Sequence, residues 1–187
     1  IINFDMGGTS TDVSHFNKDY ERKNENIVAG TRITSPMLDI HTVAAGGGSI
    51  LKFEDDRFQV GPQSAGSNPG PTCYDNNGPL TVTDANLVLG RLPEKLLDGA
   101  LRLDSKAASF AIKKYIADPL GTSVEAAAIG ILAIVNETMN NALKLMTVER
   151  GLDPKNYTLI AFGGAGPVHG GQLMRLLRTE KLLIPRY

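Results

Sequence analysis

The stretch that most constrains this chain is its first, Ile1-Ile2-Asn3-Phe4-Asp5-Met6-Gly7-Gly8-Thr9-Ser10-Thr11-Asp12. The apolar run over residues 1–6 reads as a buried strand, and the glycine pair turns it sharply. Gly7 and Gly8 let the backbone come close to a bulky anion. Exposed N–H groups at such a turn form a nest for phosphate oxygens, to which Thr9, Ser10 and Thr11 add hydroxyl donors. A lone carboxylate beside phosphates repels them unless a divalent cation or an attacking group stands nearby. Asp5 is therefore the candidate metal or water ligand, with Asp12 as a second catalytic carboxylate. A plain hairpin turn is the alternative, and it leaves Asp5 without a purpose. Because the first residues read as the interior of a buried strand, the chain is expected to be a piece of a longer protein.

A second strand–glycine–helix junction lies at LIAFGGAGPVHG, residues 159–170. Gly163, Gly164, Ala165 and Gly166 could let a base or ribose lie against the backbone. The helix that follows would point its positive end at phosphates. A tight strand-to-helix turn is the alternative. Two familiar phosphate loops are excluded. No Gly-Lys pair exists for a P-loop, and the near match to Gly-x-Gly-x-x-Gly at residues 164–169 ends on His169.

The triple glycine at residues 46–48 exceeds what a turn requires. Either it hugs a ligand, which makes Gly47 and Gly48 site candidates, or another backbone packs there. Asp39 and His41 sit two apart and would share one strand face, as a metal or substrate pair or as a hydrogen-bonded structural pair. His169 follows a glycine turn and is a further substrate or metal candidate, with a structural role as its rival. His15 reads as structural. Cys73, the sole cysteine, excludes an internal disulfide and reads as an inert small hydrophobe.

Composition removes several partner classes. A net charge of −1 offers nothing to nucleic acid or an anionic membrane. The longest apolar run, residues 126–135, is about half the ~20 residues of a membrane span, so no membrane partner and a cytoplasmic location are expected. At 42% hydrophobic residues the chain can bury a real core.

Periodicity predicts strands over residues 1–6, 12–20, 26–33, 39–43, 49–53 and 57–61, with Pro36 breaking the pattern between two of them. A Gly/Pro-rich stretch, residues 61–79, reads as a long structured loop. Helices are expected from residue 83 or 84 to 90, over 104–117 up to Asp118-Pro119, and over 123–150 with Gly151 at its end. A strand at 157–162, a glycine turn, a helix at 170–178 and a strand at 181–184 complete an α/β chain. Its glycine turns stand at strand ends, where open α/β sheets bind ligands.

FDMGGTSTDV, TVAAGGGSI, GPQSAGSNPGPTCY, TVTDANLVLGRL, VERGLDP and AFGGAGPVH, in this order, resemble the central domain of the hydantoinase/oxoprolinase family, which includes N-methylhydantoinase A, 5-oxoprolinase and acetone-type carboxylase subunits. The resemblance implies a ribonuclease-H-like half of an actin/sugar-kinase-type ATPase with a mixed sheet. It implies that residues 1–187 form the second half of that fold, carry an insertion at about 62–150, and lack the N-terminal half. It further implies ATP and Mg²⁺ as cofactors and a small cyclic amide such as hydantoin or 5-oxoproline as substrate. A B-type hydantoinase subunit or domain is implied as partner, and the isolated chain is expected to be inactive. A ketone carboxylase subunit and a non-catalytic nucleotide-dependent module are the rival functions.

Overall fold

The structure is a computed structural model and describes residues 1–28, 31–54 and 57–186. Strands β1 (Ile2–Met6) and β2 (Thr11–Asn17) form an antiparallel hairpin, with Asp5 opposite Asp12. The end of β2 pairs with the short β3 (Asp19–Tyr20). The chain then leaves the sheet as an arm of two strands, β4 (Arg22–Val28) and β5 (Thr31–Leu38), and returns as β6 (Ile40–Val43) against the first half of β2.

The strand expected over 26–33 is therefore two strands of this arm, and residues 29 and 30 of it lie outside the described residues. Pro36 does not break the pattern either. It sits in β5 next to a register shift opposite residues 23–25, where its missing N–H costs no ladder bond.

A second hairpin, β7 (Ser49–Glu54) and β8 (Arg57–Ser64), leads into the Gly/Pro loop. Helix α1 (Val82–Val88) follows, then the short β9 (Lys95–Leu96) and β10 (Leu101–Arg102). Asp104 caps α2 (Ser105–Ile112), its carboxylate accepting from Lys106 and Ala107 amides at 2.9 Å. A π turn, Lys113–Ala117, joins α2 to α3 (Asp118–Leu120), so the helical path passes the Asp-Pro pair. The widened turn keeps the Pro119 ring clear of the backbone four residues back. Gly121 in the left-handed region, φ 63°, ends it.

Ser123 caps the long α4 (Val124–Leu145), and a 3-10 turn at Val148–Arg150 precedes Gly151. Strand β11 (Thr158–Phe162), helix α5 (Gly166–Leu177) and β12 (Lys181–Leu183) close the chain. Helix α5 starts four residues before the expected 170, because Pro167 sits in its first turn, where no N–H is needed.

Strands β11 and β12 run parallel to β1, giving the order β12-β11-β1-β2, with β6 and then β3 paired along successive stretches of the outer side of β2. The alternation of β1 and β2 puts Ile2, Phe4, Met6 and Val13 on one face, where α4 and α5 cover them with Ile131, Leu132, Val135, Met139, Leu143 and Leu173. Asn3, Asp5, Asp12 and Ser14 occupy the other face. This is a ribonuclease-H-like mixed sheet of the actin-like ATPase class. Among the described residues no single helix is long and apolar enough to cross a membrane.

Candidate functional site

Parallel pairing of β1 with β11 brings Asp5 level with Phe162, so the turns after both strands leave the same sheet edge. At the first turn the Gly7 amide donates to Ser10 O at 3.0 Å. The amides of Gly8, Thr9 and Ser10 have no acceptor among the described residues, and Gly8 and Thr9 are exposed. Successive amides without partners at an exposed tip are the arrangement from which anion-binding turns are built.

The second turn is built around Gly163, whose φ of 80° suits glycine. A β-carbon there would stand 2.6 Å from Met6 O and overlap the Asp5 carboxylate. The Ala165 amide donates to Met6 O at 2.9 Å, tying the start of α5 to the end of β1. The two turns are thus one backbone unit with Asp5 between them. The Asp5 carboxylate accepts no hydrogen bond among the described residues. Asp12, beside it on the same face, accepts from the Thr42 hydroxyl at 2.5 Å.

The triple glycine packs against backbone. Gly47 and Gly48 amides donate to Gly7 O and Gly8 O at 3.0 and 2.7 Å. A β-carbon on Gly46 would stand 2.6 Å from Gly8 C and O. Thr83 holds the strap from behind, its amide and hydroxyl both reaching Gly47 O at 2.8 and 2.9 Å. With the carbonyls of Gly7 and Gly8 engaged by the strap, the turn's orientation is set by the chain itself. Gly47 and Gly48 therefore support the turn and spend their amides on it.

Four other expected site residues also face away from the two turns. Thr11 is fully buried, and its hydroxyl donates to Ala45 O at 2.6 Å, fastening the strap. Asp39 lies just before β6 and pairs with Arg150 at 2.8 Å and Lys23 at 3.5 Å. Arg150 also binds Glu21 at 2.9 Å, and Glu21 meets His15 at 2.6 Å, so this cluster belongs to the opposite edge of the sheet. His41 stands opposite Val13, back from the turns. His169 is fully buried, with Nδ1 2.8 Å from Asn136 Oδ1 and Nε2 3.2 Å from Asn86 Nδ2. Burial, helped by Arg91, pulls its pKa down to about 4, so it is neutral near pH 7.

Gly164 and Ala165 remain at the turn, and Gly166 is buried at the start of α5. Beside Gly163 the open sheet face carries a cavity of about 450 Å³ lined by Ile160, Phe162, Pro167, Pro185 and Arg186. A larger groove, about 700 Å³, lies between β7 and α2 and touches none of the turn residues.

Sequence reasoning missed Ser64 and saw in Thr83 and Asp84 only the start of α1, whose cap is in fact Thr81. Ser64 reaches Gly8 O at 3.4 Å. Buried Asp84 accepts from the amides of Cys73 and Thr81, both at 2.8 Å, and from the Thr81 hydroxyl at 3.0 Å, fixing α1 to the Gly/Pro loop. A Thr-x-x-Asp capping pattern at residues 81–84 was the available signal for Asp84.

The sheet order and the paired turns define an actin-like ATPase α/β fold. The family model described as hydantoinase/oxoprolinase matches residues 1–187, and the chain belongs to that family. It is 44% identical to 5-oxoprolinase 1 of Arabidopsis thaliana and 44% identical to the caprolactamase subunit alpha of Pseudomonas jessenii. All of this chain is covered in both cases, against 16% and 27% of those proteins. The solved ATP-dependent caprolactamase of P. jessenii superposes with a TM-score of 0.90 at 43% identity, over 99% of this chain and 27% of that one. An acetone carboxylase in nucleotide-free form gives 0.90 at 33% identity, over 98% and 27%. The chain thus spans about a quarter or less of the length of these relatives.

Proposed function

We propose that this chain forms one wall of the nucleotide site of an ATP-dependent enzyme that opens a cyclic amide of the hydantoin or 5-oxoproline type. One observation carries the reading. A carboxylate with no partner among the described residues, Asp5, lies between a turn of amides equally without one and a positive-φ glycine turn on one sheet edge. Relatives named 5-oxoprolinase and caprolactamase supply the substrate class.

An unstrained lactam carbon is a poor electrophile. Bound ATP would supply the phosphoryl group that activates the amide oxygen. The amides of Gly8, Thr9 and Ser10 would hold phosphate oxygens, with the hydroxyls of Thr9 and Ser10 beside them. Gly163 and Gly164 would leave room for the adenosine, and the apolar cavity next to them suits a flat base. Asp5 and Asp12 fit Mg²⁺, which commonly takes one or two carboxylates and completes its shell with phosphate oxygens and water. His41 stands back from the edge, and Asp39 is already engaged by Arg150.

The opposite wall would come from an N-terminal half of the same polypeptide. Residues 62–150 would be an insertion in this half, and a B-type subunit or domain would complete the hydrolytic site. A one-walled site leaves its phosphate turn in water, so the isolated chain is expected to be inactive.

The likeness to an acetone carboxylase favours a second reading, in which ATP activates a ketone and bicarbonate. Phosphate release by the full-length protein with its partner separates them. Stimulation by a lactam supports the hydrolase, and dependence on bicarbonate plus ketone supports the carboxylase. Nucleotide binding without either would mark a non-catalytic module.

A further inference from the structure

Three helices back the three segments of this edge: the strap, the first turn and the second turn. Helix α1 begins beside Thr83, which clamps the triple-glycine strap at Gly47 O. Helix α4 places Met139 against the Thr11 hydroxyl, 3.6 Å away, behind the first turn. Helix α5 starts at the second turn and is tied to β1 through Ala165. At the point where the three meet, His169 of α5 contacts Asn136 of α4 and Asn86 of α1. All three residues are buried, at 0%, 2% and 3% exposure.

We propose that His169, with Asn86 and Asn136, is the positioning joint that keeps the second glycine turn in register with the strap across Gly7 and Gly8. This rests on the nucleotide reading above. A neutral imidazole has one donor and one acceptor. Nδ1–H donates to Asn136 Oδ1, and Nε2 accepts from the Asn86 amide, so both ring nitrogens are used and the tautomer is set. Asn86 Oδ1 is buried and has no partner among the described residues. An apolar trio of similar volume would avoid that cost. What the polar joint adds is direction: each bond has a fixed length and angle, so three helices are held at one relative setting. The ring lies behind the turn and touches no reacting atom, so its action passes through Gly163, Gly164 and Ala165.

The test uses the full-length enzyme with its partner subunit. Mg-ATP affinity is read by calorimetry, and KM, kcat and the pH profile of kcat/KM by phosphate release. His169→Leu should raise the Kd and KM for ATP about tenfold or more, with kcat falling by less than about threefold. His169→Gln, whose amide can both donate and accept, should recover most of that loss. Every variant should keep the wild-type shape of the pH profile. Wild-type affinity in His169→Leu overturns the proposal. So does loss of a limb of the profile in His169→Gln, which would make His169 a proton-transfer group. If His169→Leu does not fold, Asn86→Ala removes one bond of the joint and should weaken ATP binding about threefold; unchanged affinity there overturns the proposal equally. A wild-type enzyme that binds no Mg-ATP overturns the nucleotide reading itself, and that result is distinct because it precedes any variant.

Discussion

At one edge of the central sheet, Asp5 and the amides of Gly8, Thr9 and Ser10 stand without partners among the described residues. At the other edge, His15, Glu21, Lys23, Asp39 and Arg150 are bonded to one another. Both edges carry carboxylates, and both were candidate ligand sites in the sequence. The difference is in what the folded chain already supplies. Asp39 and Glu21 have their cation in Arg150, so their charges are spent on holding the arm of β4 and β5 to the end of α4. Asp5 has no donor among the described residues, and backbone packing holds it between two turns. A charged group that the fold positions but does not satisfy is one that a ligand can satisfy.

The sharpest break in that comparison is steric. Gly46→Ala places a β-carbon 2.6 Å from the Gly8 carbonyl, against rigid backbone. Gly8→Ala meets nothing within 4 Å and carries no positive φ. Gly46→Ala should abolish ATP turnover and lower thermal stability by several kcal/mol, on the order of the largest single-residue effects. Gly8→Ala should melt within about 1 kcal/mol of the wild type and lose nucleotide affinity, because the methyl group crowds the nest. Melting curves with Mg-ATP titrations on both variants check this. Equal stability loss in the two would mean that the strap does not set the turn.

Next in size is the carboxylate. Asp5→Asn keeps the shape and removes the charge. If Asp5 holds a metal or water in the reaction, kcat should fall about 100-fold or more while ATP affinity changes far less. Parallel losses in both would return Asp5 to a structural role. At the opposite edge Arg150→Ala should do the reverse. It leaves Glu21 and Asp39 facing each other, costs about 1 kcal/mol, and should lower Tm by about 3 °C with kcat unchanged.

Much of this was legible in the sequence. The strand before Gly7, the strand before Gly163 and the helix starts near residues 104 and 123 depend on neighbours within a few residues, and all appear close to where they were read. Direction and partnership were not legible. The burial of Thr11 and His169 depends on which face α4 and α5 cover. The partner that takes Glu21 out of play is Arg150, 129 residues away. The triple glycine left ligand and backbone equally open, and only the fold could bring Gly46 onto Gly8. The register of β5 around Pro36 was hidden for a related reason, since a bulge depends on the partner strand.

Acid should expose the buried joint more gently. The folded pKa of His169, about 4, lies below its ordinary value of 6.5. The unfolded chain therefore binds the proton more readily between those values. The stabilisation is whole above about pH 6.5 and is lost as pH falls toward 4, a change on the order of 3 kcal/mol. Asp84 works the other way. Burial raises its pKa, so the folded state gains protons on acidification and recovers part of the loss. Urea titrations between pH 7 and 4.5 should show a smaller acid loss in His169→Gln than in the wild type. An identical slope in both would mean that the ring is charged or solvated in the fold.

The smallest effect expected is at Cys73, and it extends the same rule to a third region. The thiol belongs to the Gly/Pro loop and is fully buried against Leu87, Leu103 and Ala108, and its backbone amide donates to Asp84. Burial first, then the Asp84 carboxylate, pushes its pKa well above the ordinary thiol range. The thiolate is the reactive form, and here it is disfavoured by both causes. A thiol reagent at pH 8 should therefore leave the folded protein unmodified and its ATP turnover unchanged over hours, and should label Cys73 rapidly once urea unfolds the chain. Labelling of the native protein at the rate of a free thiol would mean that the loop opens readily. It would also mean that the Asp84 contacts with Cys73 and Thr81 do not hold α1 in place, and the strap anchored at Thr83 would lose its support from that side.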